Sequence, residues 1–252
     1  MPSRDMVLAK LRSLSNSESL KGMSRFGIET KSALGVSIPK LRSLAREVGK
    51  DHALAEALWT SRVHEARILA SMVDEPAQVT EAQMDRWVKD FDSWDVCDQC
   101  CSNLFDKVAF ARAKAVEWSA RDEEYVKRAG FVLMASMAVH DKAATDADFL
   151  RFLPLIKQAS GDERNFVKKA VNWALRQIGK RNAALNRAAI KTAKEIQSGP
   201  AGPGRWIASD ALRELQGEAV QRKLARGLRK LETGSRNLMD RSDRGIFTPR
   251  RV

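Results

Sequence analysis

Five segments of similar character recur along the chain, and their spacing limits the fold more than any other feature. They begin at residues 64, 94, 126, 166 and 205, so consecutive segments lie 30 to 40 residues apart. Amphipathic stretches precede them, as at 53–59, 81–90, 109–119 and 147–158. A repeat of this length built from helix pairs is typical of an α-solenoid, in which the second helices of successive pairs line a concave surface. We therefore predict an all-α solenoid. A globular helical bundle is the alternative, because the repeats share little sequence identity.

The composition and the helix-end signals also favour helices. Only 7 prolines and 14 glycines occur in 252 residues, too few for the frequent turns of a β-sandwich or barrel. Ser37 stands before Pro39 as a predicted N-cap, and Thr80 with Gln83 has the spacing of a capping box. Asp162 precedes another long amphipathic segment, where an acid suits the positive end of the helix dipole. These signals mark where three of the predicted helices begin.

The two ends of the chain differ from the repeats. A Gly/Pro-rich break at 198–204 precedes the last repeat-like segment, and the periodicity is lost after Gly234. We predict one repeat domain over 1–234 and a basic, mobile tail over 235–252. The first residues carry charges throughout, so we expect no signal peptide, and no stretch approaches the ~20 apolar residues that cross a bilayer.

The charge is unevenly distributed along the chain. Lys and Arg number 44 against 32 Asp and Glu, which gives a formal net charge of +12. Residues 160–252 hold 21 basic and 9 acidic side chains, whereas the first 159 residues hold 23 of each. A basic half joined to a neutral half indicates a surface for a polyanion such as nucleic acid. The alternative from charge alone is a solvated helical surface with a basic tail.

The cysteines and histidines form no pattern that predicts a metal site or a disulfide framework. They are Cys97, Cys100, Cys101, His52, His64 and His140. The three cysteines resemble half a zinc site, but no second pair completes four ligands, so we expect buried thiols on a helix. The sequence contains no phosphate-binding glycine loop, metalloprotease motif or nucleophile elbow. We expect no metal, no cofactor and a reducing, cytoplasmic location.

An aromatic residue and an acid share one face of the second predicted repeat helix. Trp94 and Asp98 are four residues apart, so they stand one turn from each other. Lys169, Trp173 and Arg176 share a face on a later helix in the same way. Each tryptophan alone is explained by core filling. Core filling explains a carboxylate beside an indole less well, because burying an unpaired acid costs several kcal/mol. We interpret Asp98 as a functional residue.

These motifs resemble the bacterial DNA alkylation repair family, the AlkD-type alkylpurine DNA glycosylases built on HEAT-like repeats. The resemblance extends from about Gly35 to Leu215 and rests on the runs 94–98 and 162–176. It implies a solenoid of HEAT-like helix pairs with a concave basic groove. The Asp98 neighbourhood is richer in cysteine than the family pattern, which would suit a subfamily of altered activity.

The resemblance also implies a set of active-cleft residues. The family places there a tryptophan, an aspartate four residues later, an arginine on the next repeat and a second tryptophan. By motif these are Trp94, Asp98, Arg128 and Trp173. Asp98 would be the catalytic group, and the other three would contact the lesion. Arg128, with Lys168, Lys169 and Arg176 in support, would clamp phosphates of the DNA backbone, and Arg205 would join this set.

The implied activity is that of a monofunctional glycosylase that hydrolyses the N-glycosidic bond of cationic N3- or N7-alkylated purines in duplex DNA. A cationic base is already a good leaving group, so one carboxylate suffices to stabilise the sugar cation and orient a water. We expect a monomer acting on the bacterial nucleoid in the cytoplasm. A non-catalytic HEAT-like protein that binds DNA structures is the first alternative, and a protein scaffold is the second.

Overall fold

The computed structural model describes residues 2–227, and within that range every regular element is helical. Three helices begin the chain, and pairs of helices follow. The elements are α1 (Arg4–Ser13), α2 (Ser17–Arg25), α3 (Ile38–Val48), α4 (His52–Trp59), α5 (His64–Val73), α6 (Glu81–Lys89), α7 (Trp94–Asn103), α8 (Ala111–Ser119), α9 (Glu124–His140), α10 (Asp146–Leu150), α11 (Phe152–Ala159), α12 (Asn165–Gly179), α13 (Ala183–Gln197) and α14 (Pro203–Leu215). A 3₁₀ turn spans Phe105–Lys107, and the chain is helical again from 218 to 227.

The five helices α5, α7, α9, α12 and α14, which we call the second-helix layer, pack against one another in chain order. Four of them also pack on at least one first helix, as α5 does on α4, α9 on α8, α12 on α11 and α14 on α13. The predicted repeat starts lie within two residues of the first residues of these five helices. The predicted α-solenoid of helix pairs is therefore confirmed. The predicted tail over 235–252 lies outside the described residues.

Three local expectations differ from the structure. The predicted helix over 147–158 is divided at Arg151, so α10 ends at Leu150 and α11 begins at Phe152. Thr80 accepts from the Gln83 backbone N–H as expected, but the Gln83 side chain donates to a buried Asp74 oxygen at 2.6 Å, so the capping box is only half formed. Ser37 is the N-cap residue of α3, as predicted, but its side chain makes no cap hydrogen bond.

The three cysteines lie on α7, and two of them face α9. Each is fully buried and unoxidised. The thiols of Cys97 and Cys101 point at backbone carbonyl oxygens of α9, at 3.8 and 3.9 Å. Burial raises the pKa of Cys100 and Cys101 well above the ordinary value, so neither is a reactive thiolate near neutral pH. Within the described residues no group of His, Cys, Asp or Glu side chains is arranged to hold a metal ion, and no helix is long and apolar enough to cross a bilayer.

Gly130 allows α9 to approach α8 closely. A Cβ added at this position would lie 2.5 Å from the backbone nitrogen of Ser119 and 3.0 Å from the carbonyl oxygen of Ala115. Both obstacles are backbone atoms, so no side-chain rotation relieves the clash. α9 is the central second helix, with a buried residue at most of its positions. The absence of a side chain at residue 130 therefore sets how closely α9 packs on α8.

We expect Gly130→Ala to destabilise the fold, although alanine is the better helix former. The clash should cost about 1–3 kcal/mol or more in the free energy of unfolding, measured by urea denaturation. Gly22→Ala in α2 is the matched control, because nothing lies within 4 Å of its added Cβ. That change should stabilise by about 0.5–1 kcal/mol. Equal effects of the two substitutions would contradict the close packing of α8 on α9.

Candidate functional site

A buried ion pair joins Asp98 of α7 to Arg128 of α9. Nε of Arg128 donates to Oδ1 of Asp98 at 2.9 Å, and Nη2 donates to Oδ2 at 2.8 Å. Nη1 of the same guanidinium donates to the carbonyl oxygen of Phe166, on α12, at 2.6 Å. The Arg128 side chain is only 6% exposed, and that of Asp98 is 15% exposed. One guanidinium therefore connects three consecutive second helices and sets the orientation of the carboxylate.

The environment acts on the protonation of Asp98 in two opposite ways. Burial raises the pKa of Asp98, and the charge and hydrogen bonds of Arg128 oppose that rise. The net pKa lies above the ordinary aspartate value. Arg128 stays protonated at any relevant pH. A bidentate pair uses two of about four lone-pair positions on the carboxylate, so Asp98 retains acceptor capacity toward a water molecule.

The structure shows which groups the Arg128 side chain contacts. The resemblance implies that it contacts the lesion and clamps phosphates. The structure instead directs its donors at Asp98 and at the Phe166 carbonyl. The guanidinium is therefore buried and holds the carboxylate in place, and its contact with a lesion or a phosphate stays a prediction.

Two predicted tryptophans lie on the second-helix layer, and the sequence missed an aromatic residue beside one of them. Trp94 is the first residue of α7, is half-buried, and donates its indole N–H to the Phe26 carbonyl oxygen at 3.1 Å. The Phe26 ring itself is 70% exposed. Trp173 is half-buried and lies about two turns along α12 from Phe166. Trp94 and Asp98 lie within one turn of α7, and the backbone of Phe26 lies beside the Trp94 indole.

The loop that carries Phe26 is held by one buried carboxylate. Glu65 on α5 accepts the backbone N–H groups of Leu34, Gly35 and Val36, at 2.8, 2.7 and 3.2 Å. Gly27 adopts a positive φ of 74°, and an added Cβ there would lie 3.0 Å from the Phe166 ring. The loop thus reaches both α7 and α12 across α9. A fixed loop of this kind defines one side of the site around Asp98.

The acids that surround Asp98 in the sequence have structural partners. Asp90 accepts from the Trp59 indole at 2.9 Å, and Asp92 accepts from Arg67 at 3.1 Å. Asp95 bonds to Nε2 of the buried His64 at 2.8 Å. Burial opposes ionisation of Asp95, but hydrogen bonds from its neighbours outweigh it, and the pKa of Asp95 lies below its ordinary value. These three acids attach the start of α7 to earlier repeats, which leaves Asp98 as the carboxylate beside Trp94.

The four lysines and arginines predicted to bind the DNA backbone fall into two groups. Lys169 and Arg205 are exposed, and Nζ of Lys168 lies over the Trp206 ring, 5.3 Å from its centroid. Arg176 donates to Glu214 and lies 3.6 Å from an Asp210 oxygen, so a phosphate would compete with these two acids for it.

Lys180 binds the same Glu214 at 2.6 Å. Arg176 therefore belongs to an ion-pair network between α12 and α14. Residues 160–252 therefore offer a ligand less positive charge than a count of their basic side chains indicates.

Comparisons with known proteins identify a family and a similar fold. A family model described as DNA alkylation repair enzyme matches residues 7–215. A solved structure described as a new family of proteins related to the HEAT-like repeat DNA glycosylases, with affinity for branched DNA structures, is similar to this chain with a TM-score of 0.72. It is 19% identical in sequence, and the match covers 85% of this chain and 96% of the other. At that identity the likeness shows the fold. No curated protein sequence matches the chain significantly.

Proposed function

The chain belongs to the DNA alkylation repair enzyme family, and from that premise we propose that it is a monofunctional DNA glycosylase. Its substrates would be cationic N3- or N7-alkylated purines in duplex DNA. The observation that carries the proposal is the Asp98 carboxylate, which Arg128 holds at 2.8 and 2.9 Å one turn from Trp94. A paired, oriented and only partly exposed acid beside an indole has the chemistry that this reaction requires.

The reaction needs one carboxylate and no general acid. Alkylation at N3 or N7 gives the purine a positive charge, so the electrons of the breaking bond to C1′ neutralise the base as it leaves. Positive charge develops on the sugar in the transition state, and Asp98 stabilises it electrostatically. The same carboxylate accepts a hydrogen bond from the water that attacks C1′ and receives its proton. Arg128 contributes by fixing where the carboxylate points.

Aromatic side chains supply the attraction for a cationic nucleotide. An exposed π face attracts such a cation by about 0.5–2 kcal/mol. Trp94 and Phe26 lie beside the Asp98 site, and Trp173 lies on the same helix layer. We assign lesion contact to these three residues. Phe26 joins the set because its ring is 70% exposed while its backbone is held by Trp94.

The DNA backbone would be bound by Lys168, Lys169 and Arg205, near the N-terminal ends of α12 and α14. Such contacts fix the register of the duplex without reading its sequence. They would form the basic side of a groove along the second-helix layer. We leave Arg176 out of this set because Glu214 and Asp210 engage it.

A second candidate function is DNA-structure binding without excision. The description of the solved relative, with its affinity for branched DNA structures, favours this alternative. So does the engagement of both Asp98 oxygens by Arg128. Release of an alkylated base from DNA separates the two functions, because a binder of DNA structures alone would release none.

We expect Asp98→Asn to abolish release of 7-methylguanine and 3-methyladenine from methylated duplex DNA. The amide is isosteric but carries no charge to stabilise the sugar cation, so the rate should fall by about 100-fold or more. Base release is measured by chromatography under single-turnover conditions, and duplex affinity should stay within about 2-fold. Asp92→Asn is the control, since its partner is Arg67 and its side chain is 48% exposed. Excision at the wild-type rate by Asp98→Asn would remove Asp98 from the catalytic role.

We expect the double substitution Lys168→Ala and Lys169→Ala to weaken duplex binding and to reduce its salt dependence. Each lost phosphate contact should lower the slope of log affinity against log salt by about 1. Fluorescence anisotropy over a salt titration measures the slope. Lys10→Ala is the control, because Lys10 is an exposed lysine on α1, outside the second-helix layer. An unchanged slope in the double variant would place the DNA on another surface.

A further inference from the structure

Trp206 stands out because its indole is exposed while its helix is otherwise well packed. The side chain is 45% exposed. The core-facing side of α14 consists of smaller residues, Gly204, Ile207, Ala208, Ala211 and Leu215. Trp206 is therefore not needed to bury α14 against its neighbours. An indole held at the surface in this way can contact a ligand.

The contacts between α12 and α14 show how the indole is held. Lys168, Asn172 and Arg176 recur every four residues along α12 and face Trp206, Asp210 and Glu214, which recur likewise along α14. The pairs Asn172–Asp210 and Arg176–Glu214 are polar or ionic, and Asn172 donates to Asp210 at 2.7 Å. In the third pair, the ammonium of Lys168 lies over the Trp206 ring. This third pair lies at the N-terminal end of both helices.

Trp206 continues a row of aromatic residues along one edge of the second-helix layer. Trp94, Tyr125 and Phe166 are the first or second residues of α7, α9 and α12, and Trp206 is the fourth of α14. Tyr125 and Phe166 stack with ring centroids 5.8 Å apart. Trp206 lies three helix steps from the Asp98 site, or about 25–30 Å at the usual 8–10 Å between packed helices. It is therefore a separate position on the same edge.

We propose that Trp206, with Lys168 and Arg205, binds an unpaired nucleotide of a DNA strand, at a site distinct from that of Asp98. The base stacks on the indole, and Lys168 moves from the ring to the adjoining phosphate, where Arg205 supports it. Stacking on an aromatic side chain amid positive charge is the usual way in which proteins hold single strands. The proposal rests on the proposed function in one respect only, that DNA lies along the second-helix layer.

Cationic surroundings favour a nucleic acid over a protein partner at this surface. Lys168, Lys169 and Arg205 lie near the indole on α12 and α14, in the half of the chain that carries the net positive charge. The stacked base must be unpaired, because a base within an intact duplex has both faces covered by its neighbours. A duplex that ends in a single-stranded tail is therefore the matching ligand.

The test compares a fluorescein-labelled duplex that carries a single-stranded tail with the same duplex made blunt. Wild-type protein should bind the tailed DNA more tightly. Trp206→Ala should weaken binding of the tailed DNA by about 10-fold, as expected for loss of one base stack. Its affinity for the blunt duplex and its base release from methylated blunt duplex should not change. Trp206→Phe should keep most of the preference for the tail.

Val116→Ala is the matched control, since Val116 is also 45% exposed but lies on a first helix. It should leave both affinities unchanged. Equal binding of tailed and blunt DNA by the wild type would overturn the proposal, as would equal weakening of both by Trp206→Ala. A tail preference that Trp206→Ala removes, in a protein that releases no methylated base, would refute the glycosylase activity and leave this site standing. Equal binding of tailed and blunt DNA together with normal base release would refute this site and leave the glycosylase activity standing.

Discussion

The guanidinium of Arg128 links three helices of the second-helix layer and binds the Asp98 carboxylate. It binds Asp98 of α7 with two donors and the Phe166 carbonyl of α12 with a third, from its own position on α9. Leaving either partner of such a buried pair alone costs about 3–5 kcal/mol. The same interaction therefore holds α7, α9 and α12 together and orients the Asp98 carboxylate. An acid held this firmly suits a reaction in which the group stabilises charge without having to move.

The charge of the C-terminal half has two uses. Part of it is structural, since Arg176 and Lys180 bind Glu214 between α12 and α14, and Arg164, together with Lys127 from the first half, lowers the pKa of Asp162 to about 2. The remainder faces solvent through residues such as Lys169 and Arg205. A sequence count adds these two populations together. Only the second population can exchange counterions for DNA phosphates.

The helical architecture could be predicted from the sequence because it depends on local patterns. Apolar spacing sets which face of a helix is buried, and the interval between repeats sets how helices pair. The neighbourhood of Trp94 and Asp98 followed from a four-residue spacing within one helix. The partners of Arg128 and Arg176 could not be read in this way. They lie 30 and 38 residues away, and the choice between a phosphate and a carboxylate depends on the register between packed helices. Phe26 was missed because its loop is positioned by Glu65 on another repeat.

The pH dependence of single-turnover base release, in wild type and in Arg128→Gln, tests most directly whether the Asp98 carboxylate held by Arg128 is the reacting acid. Catalysis needs the ionised form, so the rate should fall as the pH drops through the pKa of Asp98, which lies above the ordinary aspartate value. Removing Arg128 removes the influence that lowers this pKa, so the midpoint should move to higher pH in folded Arg128→Gln. A midpoint that is the same in both proteins, or a wild-type rate that does not fall in acid, would contradict this account.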